Sequence, residues 1–163
     1  MPRETERERR FLCDAMLVHL GHWLRAAGYD TVIAGGRTDD RDLITRAVAD
    51  GRIILTRDRE LRHIRGAREH AVVLHDERLE DLAAAVTRRF GVDWLAKPFS
   101  RCLVCNLALS PAPPLARGRL PADVRSLHQE INYCRQCDRL YWAGGHVRRM
   151  AQRLERWRAG DFA

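Results

Sequence analysis

The chain has 163 residues, room for one ordinary domain or one compact domain with a small appendage. Hydrophobic residues make up 45% and charged residues 31%, the balance of a soluble globular protein, and no apolar run approaches membrane-spanning length. The formal charge of +7 is uneven: through Lys97 there are 18 basic and 17 acidic residues, whereas from Pro98 onward 11 arginines face 5 acids. That excess points to a polyanion partner held mainly by the C-terminal part. Compositional bias accounts for arginine supplying 28 of the 29 basic residues, but not for the thinning of acids after Lys97.

Met1 to Arg10 reads as a solvated charged tail without the apolar core of a signal peptide, so a cytoplasmic location is expected. Phe11-Leu12-Cys13 is a short strand, followed at once by Asp14. Ala15 to Ala27 sets Met16, Leu20, Trp23, Leu24 and Ala27 on one helical face, and Gly28 stops it. Thr31 to Ala34 is a second strand, broken by Gly35-Gly36. The run Thr38 to Asp42 opens another helix whose Leu43, Ile44, Ala47 and Val48 face a core. Gly51 ends that helix, and Arg52 to Thr56 is a buried strand with Asp58 behind it. A helical pattern then starts, with Leu61 and Ile64 three residues apart. Ala71 to Leu74 is the fourth strand, followed by Asp76, and Leu79 to Phe90 forms an amphipathic helix stopped by Gly91.

Strand and helix alternate with short connections. This predicts an α/β fold, a parallel sheet with helices on both faces. In such a sheet the ligand crevice lies outside the carboxyl ends of the strands. Asp14, then Asp39, Asp40 and Asp42, then Asp58 and Asp76, all fall at that edge. Each suits an N-cap when taken singly. Their recurrence at four strand ends favours a shared divalent cation, because clustered carboxylates repel one another until a cation intervenes. Hard oxygen ligands suit Mg²⁺ or Mn²⁺, which activates water and neutralises charge during attack on a phosphodiester. Neutralising one such acid is expected to leave stability intact.

Cys102-Leu-Val-Cys105 and Cys134-Arg-Gln-Cys137 are two CxxC pairs, each able to place two thiolates on a tight knuckle. Together they complete a tetrahedral S₄ site for structural zinc. Four thiolates fill the coordination sphere, so that metal is not expected to be catalytic. Pro111, Pro113, Pro114 and Pro121 mark a loop between the knuckles, with a short helix near Ala122 to Leu127. Tyr141 and Trp142 suit either stacking on bases or packing of the small module. His146 to Arg158 is a helix with Val147, Met150, Leu154 and Trp157 on one side and arginines elsewhere. Cys13 reads as a small buried hydrophobe, and His19 and His22 as ordinary helix histidines.

FLCDAML, AGGRTDDRDL and GRIILTRDREL together resemble PIN-like nucleases. They look most like the RNase domain named after the C-terminal region of the Mut-seven exonuclease, in which a zinc ribbon follows a PIN-like core. The resemblance runs from about Phe11 to Met150. It implies a nuclease domain over residues 11–97 and a zinc ribbon with a basic helix over 98–163. It also implies metal-dependent hydrolysis of RNA, with Asp14 and Asp58 as metal-binding catalytic carboxylates. Asp39, Asp40 and Asp42 compete for the middle position; Asp40 matches the acid that opens this helix in PIN-like sequences, with Asp42 second. Arg57, Arg148, Arg149 and Arg153 are the candidate phosphate contacts. The rival readings are a non-catalytic RNA- or ribosome-binding protein whose acids are vestigial, and the toxin of a toxin–antitoxin pair.

Overall fold

A computed structural model describes residues 9–35 and 39–163; most of the charged tail, Gly36 and Thr38 lie outside the described residues. The first half alternates as the periodicity predicts. Strand β1 (Phe11–Cys13) leads through a 3₁₀ turn (Ala15–Leu17) into α1 (Val18–Ala26) and then β2 (Thr31–Ile33). Next come α2 (Asp40–Asp50), β3 (Ile53–Thr56), a second 3₁₀ turn (Glu60–His63), β4 (Ala71–Val73) and α3 (Leu79–Phe90). The four strands form one parallel sheet in the order β2-β1-β3-β4. Phe11 stands opposite both Thr31 and Ile53, and Ile54 opposite Ala71.

Side chains alternate across this sheet as the pleat requires. Phe11, Cys13 and Leu55 face the side covered by Leu20 and Leu24 of α1 and by Leu82 and Val86 of α3. Leu12 and Ile54 face the other side, against Leu43, Ile44 and Ala47 of α2 and Leu61. From β1 the chain moves outward to β2, then returns to place β3 on the opposite flank of β1. That reversal puts a topological switch point between β1 and β3, so a crevice opens beyond their carboxyl ends.

Two residues expected in the core are exposed. Met16 sits on the 3₁₀ turn, whose tighter winding rotates it off the stripe that α1 buries. Val48 lies at the margin of α2, where Leu43, Ile44 and Ala47 already fill the contact.

Beyond α3 the chain crosses to a small module. A bridge pairs Arg101 with Ala108, and β5 (Ser110–Pro111), β6 (Ile131–Cys134) and β7 (Arg139–Trp142) form an antiparallel sheet in that order. The proline-rich insert contains α4 (Pro114–Arg117) and α5 (Ala122–Leu127). The last helix, α6 (Gly145–Arg158), returns to the α/β core. Trp157 is buried there, edge-on to Trp23 at 5.0 Å and to Trp94 at 4.7 Å, with Met150 and Leu154 in the same cluster. A division at residue 97 therefore separates Trp23 and Trp94 from the helix that covers them.

Gly28 turns the chain out of α1 with φ of +97°, and a Cβ there would collide with the Lys97 carbonyl, which passes directly over it. Both the backbone conformation and this close approach require glycine.

Candidate active site and cysteine centre

Asp14 is the first residue after β1, and protein donors hold its carboxylate from two sides. Oδ1 accepts the backbone N–H groups of Met16 (2.9 Å) and Leu17 (3.1 Å), capping the 3₁₀ turn. Oδ2 accepts the Thr56 hydroxyl and the Arg57 N–H (3.0 Å). Thr56 ends β3, is wholly buried, and its oxygen also accepts the Asp58 N–H at 2.9 Å. One hydroxyl thus ties the two strand-end acids together. Asp58 accepts the Glu60 N–H on Oδ1 (2.8 Å), so the cap reading is part of its role. Asp40 begins α2, and Asp39 before it caps the helix through the Arg41 N–H (2.8 Å).

Asp14, Asp40 and Asp58 line a cleft of about 160 Å³ beyond the ends of β1 and β3, with Met16, Thr56 and Leu61 among the other walls. Among the described residues no lysine or arginine lines it. Asp39 and Asp42 are not in the lining, and Asp76 belongs to a separate hollow beside β4 with His75, Arg88 and Arg89. The three aspartates share a cleft without forming a tight ligand knot. Among the described residues, only the cysteines gather three or more ligand atoms within 4.8 Å of one another. Arg57 turns from the cleft to Glu77 at 3.4 Å.

Cys102, Cys105, Cys134 and Cys137 bring their four sulfurs together, Cys102 to Cys137 at 3.9 Å and Cys105 to Cys134 at 3.4 Å. Tetrahedral thiolates about 2.3 Å from one ion stand roughly 3.8 Å apart, so the quartet can hold a metal. Tyr141 lays its hydroxyl 3.1 Å from the Cys102 sulfur, where it can donate to a thiolate; this is a packed position rather than a free stacking face. Each knuckle ends in a short polar residue with positive φ, Asn106 (71°) after the first pair and Asp138 (52°) after the second. Asn and Asp tolerate that conformation better than other side chains. The Arg119 fork and the Tyr133 hydroxyl bond Asp138 and bring its carboxyl down to about 2.

The first knuckle is docked on the β2 edge by groups that the sequence reading passed over. Arg25, buried in α1, donates to the Thr31 carbonyl and to the carbonyls of Leu103 and Val104 at 2.8 to 2.9 Å. Asn106 accepts the Thr31 N–H and donates to Asp30 at 2.6 Å. Asp30 also receives Arg10 and both terminal nitrogens of buried Arg52. Burial alone raises the Asp30 carboxyl, but the bonds from Arg52, Asn106 and Arg10 outweigh it and hold it well below the usual carboxylate range. Cys13 is fully buried, and burial pushes its thiol up, as expected of a core residue. His19 and His22 are both exposed.

The C-terminal arginines differ in their surroundings, and Arg125, Arg135 and Arg139 are simply exposed. Arg117, Arg119, Arg156 and Arg158 bond acids or carbonyls of their own neighbourhood. Arg153 lies over the Trp23 ring at 5.3 Å and reaches Glu80 at 3.4 Å, a packing role. Arg148 and Arg149 at the start of α6 are exposed and have no acidic partner among the described residues.

Residues 9–154 match the model of the Mut7-C RNAse domain, and the chain belongs to that family. A human protein named "Exonuclease mut-7 homolog" is 35% identical over 109 residues, which cover 64% of this chain and 12% of the human protein. This chain therefore spans a small part of that relative's length. No solved structure matches it. Both names, the family's and the relative's, are those of nucleases. Among the described residues no helix is long and apolar enough to cross a membrane.

Proposed function

We propose that the protein is a metal-dependent ribonuclease whose reaction centre is the cleft of Asp14, Asp40 and Asp58. The observation that carries this reading is the cleft's composition: three carboxylates at a switch point with no basic side chain among the described lining residues. An uncompensated set of this kind favours a hydrated divalent cation, since Mg²⁺ keeps several waters and takes few protein carboxylates. Asp40, whose carboxylate accepts no hydrogen bond from the described residues, and Oδ2 of Asp58 are the oxygens placed to hold Mg²⁺ or Mn²⁺. When bound, the ion supplies a water of lowered pKa and neutralises charge on the phosphodiester. Asp14 serves as a fixed anion, its orientation held by Thr56 and Arg57. Asp42 lies outside this cleft, as the alternative ligand at the start of α2.

RNA as the substrate follows from the family's name, and the cysteine quartet is read as a structural zinc site. Arg148 and Arg149 supply exposed positive charge for phosphates. Arg57 and Arg153 are the weaker candidates, because each already has an acid partner. A cytoplasmic location and a zinc ribbon over 98–163 complete the reading. One rival has support on the page: the bonds on Asp14 and Asp58 are those of caps, as in an RNA-binding protein without catalysis.

A cleavage assay on single-stranded RNA separates the two. Activity is expected to require Mg²⁺ or Mn²⁺ and to fall at least a hundredfold in both Asp40→Asn and Asp58→Asn. Wild-type rates in both variants would mean that the acids are caps only.

A further inference from the structure

The residues after Asp58 carry a pattern the catalytic reading does not use. Arginine recurs at every third position, Arg59, Arg62, Arg65 and Arg68, and all four are exposed. Apolar residues recur with the same period and point inward: Leu61 and Ala67 are buried, and Ile64 packs against the same cluster. The backbone explains the shared period. Ile64 N–H bonds the Leu61 carbonyl, Ala67 N–H that of Ile64, and His70 N–H that of Ala67, each closing a three-residue step. The 3₁₀ turn stops at His63, Ile64 is extended (ψ 132°) and Gly66 has φ of +89°, so the segment is a run of successive turns and not one continuous helix. With 61, 64 and 67 facing the core, the four arginines are left on the exposed side.

None of these four arginines has an acidic partner among the described residues, although Glu60 and Glu69 lie in the same stretch. Surface arginines without acids commonly face water alone. Here two further facts act together. The series starts one residue beyond Asp58, and Leu61 between its members is a wall of the acidic cleft. On its far side the segment borders a groove of about 630 Å³ lined by Arg41, Ile44, Thr45, His63, Ile64 and Arg65. Arg41 directly follows Asp40 of the cleft, so α2 and the segment after Asp58 each contribute residues to both the cleft and the groove. Among the described residues the cleft itself holds no positive side chain, and a phosphate chain entering it draws on charge from beside it.

We propose that the Arg59–Arg68 segment, which includes His63, with Arg41 across the groove, is a rail that binds the phosphates of a single RNA strand running into the cleft. This rests on the ribonuclease reading for the identity of the strand. The rail contacts phosphates and no base edges, so it is indifferent to sequence. Flexible single strands suit an exposed segment that offers a cation at every third residue, whereas a bidentate pocket for one fixed anion would hold its arginines in place with acids.

The test compares the full-length wild type with the triple variant Arg62→Gln, Arg65→Gln, Arg68→Gln. All three side chains are exposed, so an unchanged melting temperature is expected and serves as the folding control. Binding of a twelve-nucleotide oligouridylate is measured without added divalent cation across a series of salt concentrations. The log–log slope should drop by about 2, at roughly 0.7 per lost phosphate contact. Affinity at low salt should fall at least tenfold. Hydrolysis of bis(4-nitrophenyl) phosphate, too small to touch the rail, should keep its wild-type rate with Mn²⁺. A triple variant that binds the oligonucleotide with the wild-type slope overturns the rail and leaves the segment as a surface for an acidic protein. If the slope drops while wild type hydrolyses neither substrate, the rail stands and the ribonuclease reading fails.

Discussion

Thr56 is the smallest group on which the cleft depends. Its hydroxyl donates to Asp14 and accepts from the Asp58 N–H, so one oxygen fixes the distance between two strand ends. Thr56→Val keeps the shape and β-branching but leaves Asp14 short of a donor and the Asp58 N–H without its acceptor. Losing a hydrogen bond to a charged group costs about 1.5–3 kcal/mol. The expected outcome is a denaturation midpoint lower by that amount, together with a falling kcat on RNA. An unchanged kcat would mean that Thr56 only closes the strand. Asp14 also revises the expectation that neutralising an acid spares stability. All of its donors come from the protein, so in Asp14→Asn the side-chain NH₂ must face two of them, at a cost of about 1–3 kcal/mol. Asp40 and Asp58 are the cleaner positions for testing chemistry. Asp30 makes a pH-dependent prediction. Its folded pKa lies below the unfolded value of about 3.9. Its stabilisation is therefore complete above that value and lost as pH falls below it. Asp30→Asn should be less stable than wild type by about 2 kcal/mol from pH 7 to 5. The gap should narrow progressively as pH falls below about 4. Urea midpoints at pH 6 and pH 3 check this, and an equal gap at both would contradict it.

At the scale of elements, period and punctuation were enough to find most of the chain. The strand at Phe11–Cys13 and the helices at Leu79–Phe90 and Ala122–Leu127 lie where their apolar spacing and flanking glycine or proline put them. The 3₁₀ turns were not legible, because three-residue winding and α-helical winding share an i, i+3 contact, and Met16 was misassigned for that reason. The dock between the first knuckle and β2 was illegible for another reason. Arg25, Asp30 and Asn106 are up to 81 residues apart in sequence, and only the fold reveals that they meet. A faint signal existed in Asn106 and Asp138, since a turn-tolerant residue directly after each CxxC marks where the knuckle must reverse. The metal reading makes its own prediction. Purified protein should carry one zinc per chain, and Cys134→Ser should lose it. Such a small module lacks a core of its own, so its sheet should loosen while the parallel sheet stays folded. Elemental analysis and amide exchange read the two effects separately. Full zinc content in the variant would remove Cys134 from the ligand set.

At the scale of the whole molecule, the acids and the positive charge are kept apart. Among the described residues the cleft carries three carboxylates and no cation, while arginines without an acid partner include those of the segment beyond Asp58 and at the start of α6. The charge split at Pro98 drew attention to the second group alone. The first was hidden because acids elsewhere in residues 1–97 balance it in any sum. Placement, and not net charge, exposes the segment beside the cleft. The central claim is that the cleft holds a divalent cation between Asp40 and Asp58, and crystals grown in Mn²⁺ test it most directly. An anomalous scattering peak is expected in the cleft within coordination distance of Asp58, and it should vanish in Asp58→Asn. A cleft without a peak, at Mn²⁺ concentrations that support RNA cleavage in solution, would contradict the account.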